Sequence, residues 1–151
     1  MRGRNVKGVR VKQGTPDHPK TKKLARLLKV ERYQAVGILE CLWHWTARYA
    51  PDGLLSRFEA ADWCEGIDWH GEPEALRDAL VATGFLDDQE GKLTVHDWRD
   101  HAEDYVHAKL ARRRGFFADG FQPRISKLSQ DERPIASEWY KSHTTDGKRS
   151  E

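Results

Sequence analysis

Residues 32–50, "RYQAVGILECLWHWTARYA", carry Ala35, Val36, Ile38, Leu39, Leu42, Trp43, Trp45, Thr46 and Tyr49 in one uninterrupted register. At 3.6 residues per turn these side chains cover much of a helix circumference instead of a single stripe. A helix apolar on several sides is usually the centre of a core or half of a subunit interface, so the rest of the chain has to be arranged around it. A chain of 151 residues that is 38% hydrophobic and 33% charged suits one compact domain carrying polar extensions.

The flanking segments carry their own boundary signals. "TKKLARLLK" sets Leu24, Leu27 and Leu28 at i, i+3 and i+4, with Lys22, Lys23, Arg26 and Lys29 largely off that stripe, which predicts a short amphipathic helix with a cationic back. After the large helix, "PDG" at 51–53 predicts a turn and "GLLS" a short extended piece. Ser56 and Glu59 form an S-x-x-E capping box ahead of a helix through Trp63 that ends near Gly66. Pro73 suits the first turn of the next helix, whose buried stripe is Leu76, Ala79, Leu80 and Thr83, and Gly84 suits the position after its end. "FLDDQEGKLTV" then predicts two short strands about a turn containing Gly91, with Leu93 and Val95 inward. Asp97 is the expected cap of a last long helix with Trp98, Ala102, Tyr105 and Val106 inward and "KLARRR" at its end. The Gly-rich, basic start has one alternation, Val9 and Val11, suggesting a strand in an otherwise extended arm.

The resulting expectation is a mainly α fold with a small β hairpin, in the order of a winged helix-turn-helix. It comprises a basic N-terminal arm (1–17), the winged-helix domain with its added long C-terminal helix (18–114), and a mostly irregular tail (115–151). Phe116, Phe117, Phe121, Ile125, Leu128, Ile135, Trp139 and Tyr140 punctuate that tail, which suits either a docking peptide or a strap across the domain.

Charge is segregated beneath a formal net charge of +2. Residues 1–32 hold 11 Lys/Arg and 2 Asp/Glu, residues 33–108 hold 5 and 16, and residues 109–151 hold 10 and 6. An acidic body thus lies between two basic ends. Within residues 72–95 there are six carboxylates against Arg77 and Lys92, a poor surface to offer phosphates. The cations expected to hold nucleic acid are therefore Arg4, Lys7, Arg10, Lys12, Lys20, Lys22, Lys23 and Arg26 at one end, and Lys109, Arg112, Arg113 and Arg114 at the other. Such residues follow a phosphate backbone with strong salt dependence and little base reading.

"DHPKTKKLARLLKV", "ERYQAVGILECLWHWTARYAPDGLLSRF", "LVATGFLD" and "LTVHDWRDHAEDYVHAKLARRR" together resemble the N-terminal winged-helix domain of phage replisome organisers, relatives of primosomal DnaD-type proteins, over about residues 15–114. The resemblance implies a non-enzymatic role at a phage or prophage replication origin: DNA binding, self-association, and recruitment of the replicative helicase or its loader. Such organisers commonly carry a further C-terminal domain, whereas 37 residues follow Arg114 here. Self-association is expected through the apolar faces of the helix around Trp43 and the helix after Asp97. An adaptor that binds a host protein through its acidic surface is the alternative from a different class. A sequence-specific repressor would need Arg77 and the wing residue Lys92 to reach the grooves.

Other chemistry finds less support. Asp97, His101 and Asp104 fall at i, i+4 and i+7, and Cys41 with His44 at i and i+3 near Cys64 and His70. Neither set has a finger or hydrolase spacing, and no cofactor is expected. Cys41 and Cys64 read as small buried hydrophobes, and most of the tryptophans as core. Nucleophile elbows, phosphate loops and H-E-x-x-H are absent from the sequence. The start lacks the apolar run of a secretion signal and no stretch reaches membrane-spanning length, so a cytoplasmic location is expected.

Overall fold

His18 opens the first helix, α1 (Pro19–Leu28), its Nδ1 accepting the Lys20 backbone N–H at 3.1 Å while Pro19 takes the first position, where no amide is missed. The computed structural model describes residues 14–150; the strand expected at Val9 and Val11 lies outside them. A short 3-10 turn, Thr15–Asp17, leads in, and the Thr15 carbonyl accepts from the buried Thr21 hydroxyl at 2.6 Å. The long helix α2 (Arg32–Tyr49) buries Ala35, Leu39, Leu42, Trp43, Thr46 and Ala47, with Val36, Ile38 and Trp45 half-buried beside them. α1 packs on α2 and on α4.

Leu54 pairs with Thr94 in an isolated antiparallel bridge. α3 (Ala60–Gly66) follows, and its box is displaced three residues from expectation: the Glu59 N–H donates to Asp62 Oδ2 at 3.0 Å. Ser56 has a different duty, its Oγ accepting the Leu93 N–H at 3.2 Å and so joining this loop to the hairpin. α4 (Pro73–Ala82) buries Leu76, Ala79 and Leu80, Thr83 is buried just beyond it, and Gly84 follows at φ 81°. β1 (Leu86–Gln89) and β2 (Lys92–Val95) pair with Gln89 opposite Lys92. The two-residue turn has both Glu90 and Gly91 at positive φ, the geometry that matches the strands' right-handed twist.

The long last helix is broken. α5 (Trp98–His101) stops at Ala102, whose extended backbone (ψ 134°) and that of Glu103 (ψ 165°) redirect the chain into α6 (Asp104–Arg112). Two burial demands explain the break. Trp98 is held beneath the 51–53 turn, its Nε1 donating to the Pro51 carbonyl at 2.8 Å. Val106 and Leu110 enter the main core, while Ala108 and Ala111 face a second cluster. Asp97 adopts left-handed backbone and makes no side-chain cap.

The segment expected to be mostly irregular contains a twelve-residue helix, α7 (Glu132–His143), and a second hairpin, β3 (Thr144–Thr145) with β4 (Lys148–Arg149). Leu128, Ala136 and Tyr140 bury against Ala108 and Ala111. Tyr140 Oη donates to the Gly115 carbonyl at 2.7 Å, and burial pushes its pKa up to about 12. Before α7, Phe117 enters the main core and Ala118 N–H donates to the Asp52 carbonyl. Of the two expectations for this segment, its backbone takes the course of a strap. Among the described residues there are seven α-helices, and no helix is long and apolar enough to cross a membrane.

His107 ties the strap to α6. Its Nδ1 accepts the Arg124 N–H at 2.9 Å, and Nε2 lies 3.1 Å from the Arg99 carbonyl, so the neutral ring protonated on Nε2 satisfies both contacts. Burial, then the Arg124 guanidinium, lowers its pKa to about 4; Arg99 acts in the same sense, and the Arg99 carbonyl and Asp104 oppose it. An unfolded chain binds more protons than the folded one between about pH 6.5 and about pH 4, so stability falls on acidification across that window, by up to about 3 kcal/mol. Denaturant midpoints measured across this range are expected to fall with pH, and to fall less steeply in His107→Gln. Gly53, at φ 86°, would place a Cβ 2.7 Å from the Trp98 ring. Gly53→Ala is expected to cost about 2–4 kcal/mol in chemical unfolding, from left-handed strain plus overpacking.

Candidate nucleic-acid interface

α1 separates its side chains by polarity. Thr21, Leu24 and Ala25 are buried, and Lys22, Lys23 and Arg26 are exposed on the other side. None of these three cations makes an ion pair among the described residues. Lys29, the left-handed residue that ends α1, is exposed as well. Lys22 borders a shallow depression with Glu31, Arg32 and Tyr33, and Tyr33 is 75% exposed. A row of free cations beside an exposed aromatic ring can meet phosphate oxygens and offer one stacking surface.

The other predicted cations divide into several groups. Arg4, Lys7, Arg10 and Lys12 lie outside the described residues. Lys20 is internal in function: its Nζ donates to the Gly84 carbonyl at 3.0 Å and sits 4.6 Å from the centre of the Phe85 ring, tying α1 to the end of α4. Lys109 donates to the Arg48 carbonyl at 3.2 Å, at the end of α2. Arg112 is paired with Glu132 of α7 at 3.0 Å, which holds the Glu132 carboxyl well below its ordinary range, at about 2, with help from the Ser129 backbone and hydroxyl. Arg114 folds back to the Ala111 carbonyl at 2.8 Å. Only Arg113 of the C-terminal group is exposed with no ion pair among the described residues. Arg48, which sequence reasoning missed, joins this end through Lys109; its only signal was a cation in the last turn of a helix otherwise read as core.

α4 and the hairpin are differently disposed. Arg77 Nη2 lies 2.6 Å from Asp88 Oδ2 of β1 and its Nη1 3.2 Å from Asp78, so the only long cation of α4 is bound to the hairpin. The Asp88 hydrogen bond is the main reason its pKa is raised. Lys92 of β2 donates to the Ala118 carbonyl at 2.6 Å. Both cations that base reading would require are therefore occupied within the chain. Around them Glu59, Asp62, Glu65, Asp68, Glu72, Glu74 and Asp78 are exposed, giving α3, α4 and their connection an anionic outer surface.

The remaining expectations resolve by burial. Trp43, Trp63 and Trp98 are core residues; Trp45 and Trp69 are half-buried, Trp45 edge-on to Phe58 and Trp69 donating to the Glu72 carbonyl. Trp43 and Trp98, at 2% and 4% exposed, serve the chain's own core, whereas Tyr49 of α2 and Tyr105 of α6, the latter expected inward, are exposed. Cys64 is buried, which raises its thiol pKa to about 11, but Cys41 is exposed, contrary to expectation. His101 stacks on Trp43 with ring centres 4.7 Å apart, and Asp104 pairs with Arg124. Among the described residues, no group of three His, Cys, Asp or Glu side chains is placed to hold a metal ion. Comparison with protein-family models, with curated proteins and with solved structures gives no match to this chain.

Proposed function

We propose that this chain is a winged-helix protein of the replisome-organiser kind that binds DNA without catalysing a reaction. The order α2, Leu54, α3, α4 and the β1–β2 hairpin supports the winged-helix reading, with Leu54 as the short strand bridged to Thr94 beside the hairpin. The observation that carries the DNA-binding reading is a contrast between two helices: Lys22, Lys23 and Arg26 stand exposed and unpaired on α1, while Arg77 of α4 is bound to Asp78 and Asp88. On this reading α1, with the basic residues that precede it, grips phosphates, and α4 stays out of the groove. Binding is then steeply salt-dependent and weakly sequence-selective. Self-association multiplies such weak contacts by avidity, and the replicative helicase or its loader is the protein partner, met in the cytoplasm. The exposed carboxylates of α3 and α4 favour a second reading, an adaptor that docks a basic protein partner on this surface and never touches DNA.

Titration with duplex DNA at several salt concentrations separates these readings. K22Q/K23Q/R26Q is expected to weaken binding and to lower the slope of log affinity against log salt by about 2.7, or about 0.9 for each phosphate no longer neutralised. Deleting residues 1–13, which leaves the Thr15–Thr21 and Asp17–Arg32 contacts in place, should weaken it further. Arg77→Gln should leave DNA affinity unchanged while lowering unfolding free energy by about 1 kcal/mol as the helix-to-hairpin ion pair is removed. Unchanged binding in the α1 variant, or abolished binding in Arg77→Gln, would overturn the assignment.

A further inference from the structure

At the C-terminal end of α2, three cations, Arg48, Lys109 and Arg113, lie close enough to influence one another's charge. Lys109 Nζ reaches the Arg48 carbonyl at 3.2 Å, which brings α6 against the last turn of α2. Arg113 lies one helical turn beyond Lys109, so the two side chains share a face. None of the three makes an ion pair among the described residues, whereas neighbouring Arg112 does. Two tyrosines flank them. Tyr49 is 51% exposed and lies 5.5 Å beneath the Arg48 guanidinium; Tyr105, one turn before Lys109, is 41% exposed.

The simpler account is that Lys109 only caps α2. A single hydrogen bond to a terminal carbonyl uses one of its three N–H donors, and capping by itself requires neither arginine. Burial lowers the Lys109 pKa, and Arg113 and Arg48 lower it further. Like charges held together in this way repel one another until an anion enters between them. A phosphate oxyanion matches two guanidinium forks and an ammonium, and exposed tyrosine rings offer a surface on which unpaired bases stack.

We propose that Arg48, Lys109 and Arg113 form a phosphate-binding site which, with Tyr49 and Tyr105, holds an unpaired segment of DNA. This rests on the DNA-binding reading above and adds to it a second contact, separate from α1 and selective for single strands.

Binding of a dT oligonucleotide and of a duplex hairpin is measured in parallel on the full chain. R48Q/R113Q spares the Lys109 cap, and its thermal midpoint is expected to match the parent. Affinity for dT is expected to fall about tenfold or more, and the salt slope by about 1.4, or about 0.7 for each phosphate released; R48K/R113K should retain most of the affinity. Y49L/Y105L should weaken dT binding and leave duplex binding unchanged. If dT affinity in R48Q/R113Q is unchanged while the α1 variant no longer holds duplex, this site is wrong and the proposed function stands. Equal weakening on both DNAs, with Y49L/Y105L behaving as the parent, would overturn single-strand selectivity. Wild-type protein that binds neither DNA overturns both proposals together.

Discussion

The fold depends on what surrounds the last three turns of α2. Leu39, Leu42, Trp43, Thr46 and Ala47 are all essentially removed from solvent, which no single neighbouring helix could achieve. α1 and α3 pack against this helix, and Leu55, Trp98, Val106 and Phe117 join the same core cluster. Burying a side chain of this size is worth about 1.5–3 kcal/mol relative to leaving it exposed, so the helix collects partners from distant stretches of chain. That demand also explains why the sequence after the hairpin breaks at Ala102: one straight helix could not keep Trp98 under the 51–53 turn and also send Val106 and Leu110 into the core.

Much of this was legible in the residues. Pro73 and Gly84 bracket α4 because each marks a backbone state that few other residues adopt as readily, and Gly91 marks the hairpin turn for the same reason, while Glu90 takes positive φ beside it without favouring it. The break at Ala102–Glu103 has no such marker, since neither residue is Gly or Pro, and it arises from long-range packing. α7 was missed although it had a signal. Ser129 and Glu132 bond reciprocally, Ser129 N–H to Glu132 Oε1 at 3.2 Å and Glu132 N–H to Ser129 Oγ at 3.1 Å, an S-x-x-E box one turn early. Its burial stripe is thin, with Ala136 and Tyr140 meeting small alanines while Ile135 stays 65% exposed, so periodicity alone gave little reason to expect a helix.

Charge was legible in sign but not in employment. Lys22, Lys23 and Arg26 could be assigned to the outside of α1 from the position of its leucines. The partners of Lys20 and Arg112 could not: Gly84 lies 64 residues from one and Glu132 lies 20 from the other. Local spacing carries no information about contacts made across such distances. The internal uses of these cations sharpen the contrast between the α1 face and the anionic α3–α4 surface. A polyanion approaching this molecule meets opposite fields at the outer face of α1 and at the α3–α4 surface, which orients the encounter before any contact forms.

The strap from Gly115 to Leu128 changes what counts as the smallest independently stable piece. Phe117 fills part of the main core, Ala118 joins Asp52 to Lys92, and Arg124 N–H satisfies a buried imidazole. A chain cut after Arg114 would lose a wall of its interior, and the hairpin would keep its direct bonds to residues 53–56 but lose the link through Ala118 that joins Lys92 to Asp52. The autonomous unit therefore extends beyond the boundary that element order alone suggests, and the hairpin is stiffened by covalently distant residues. Its tip arrives at any partner already ordered, with little conformational entropy left to lose.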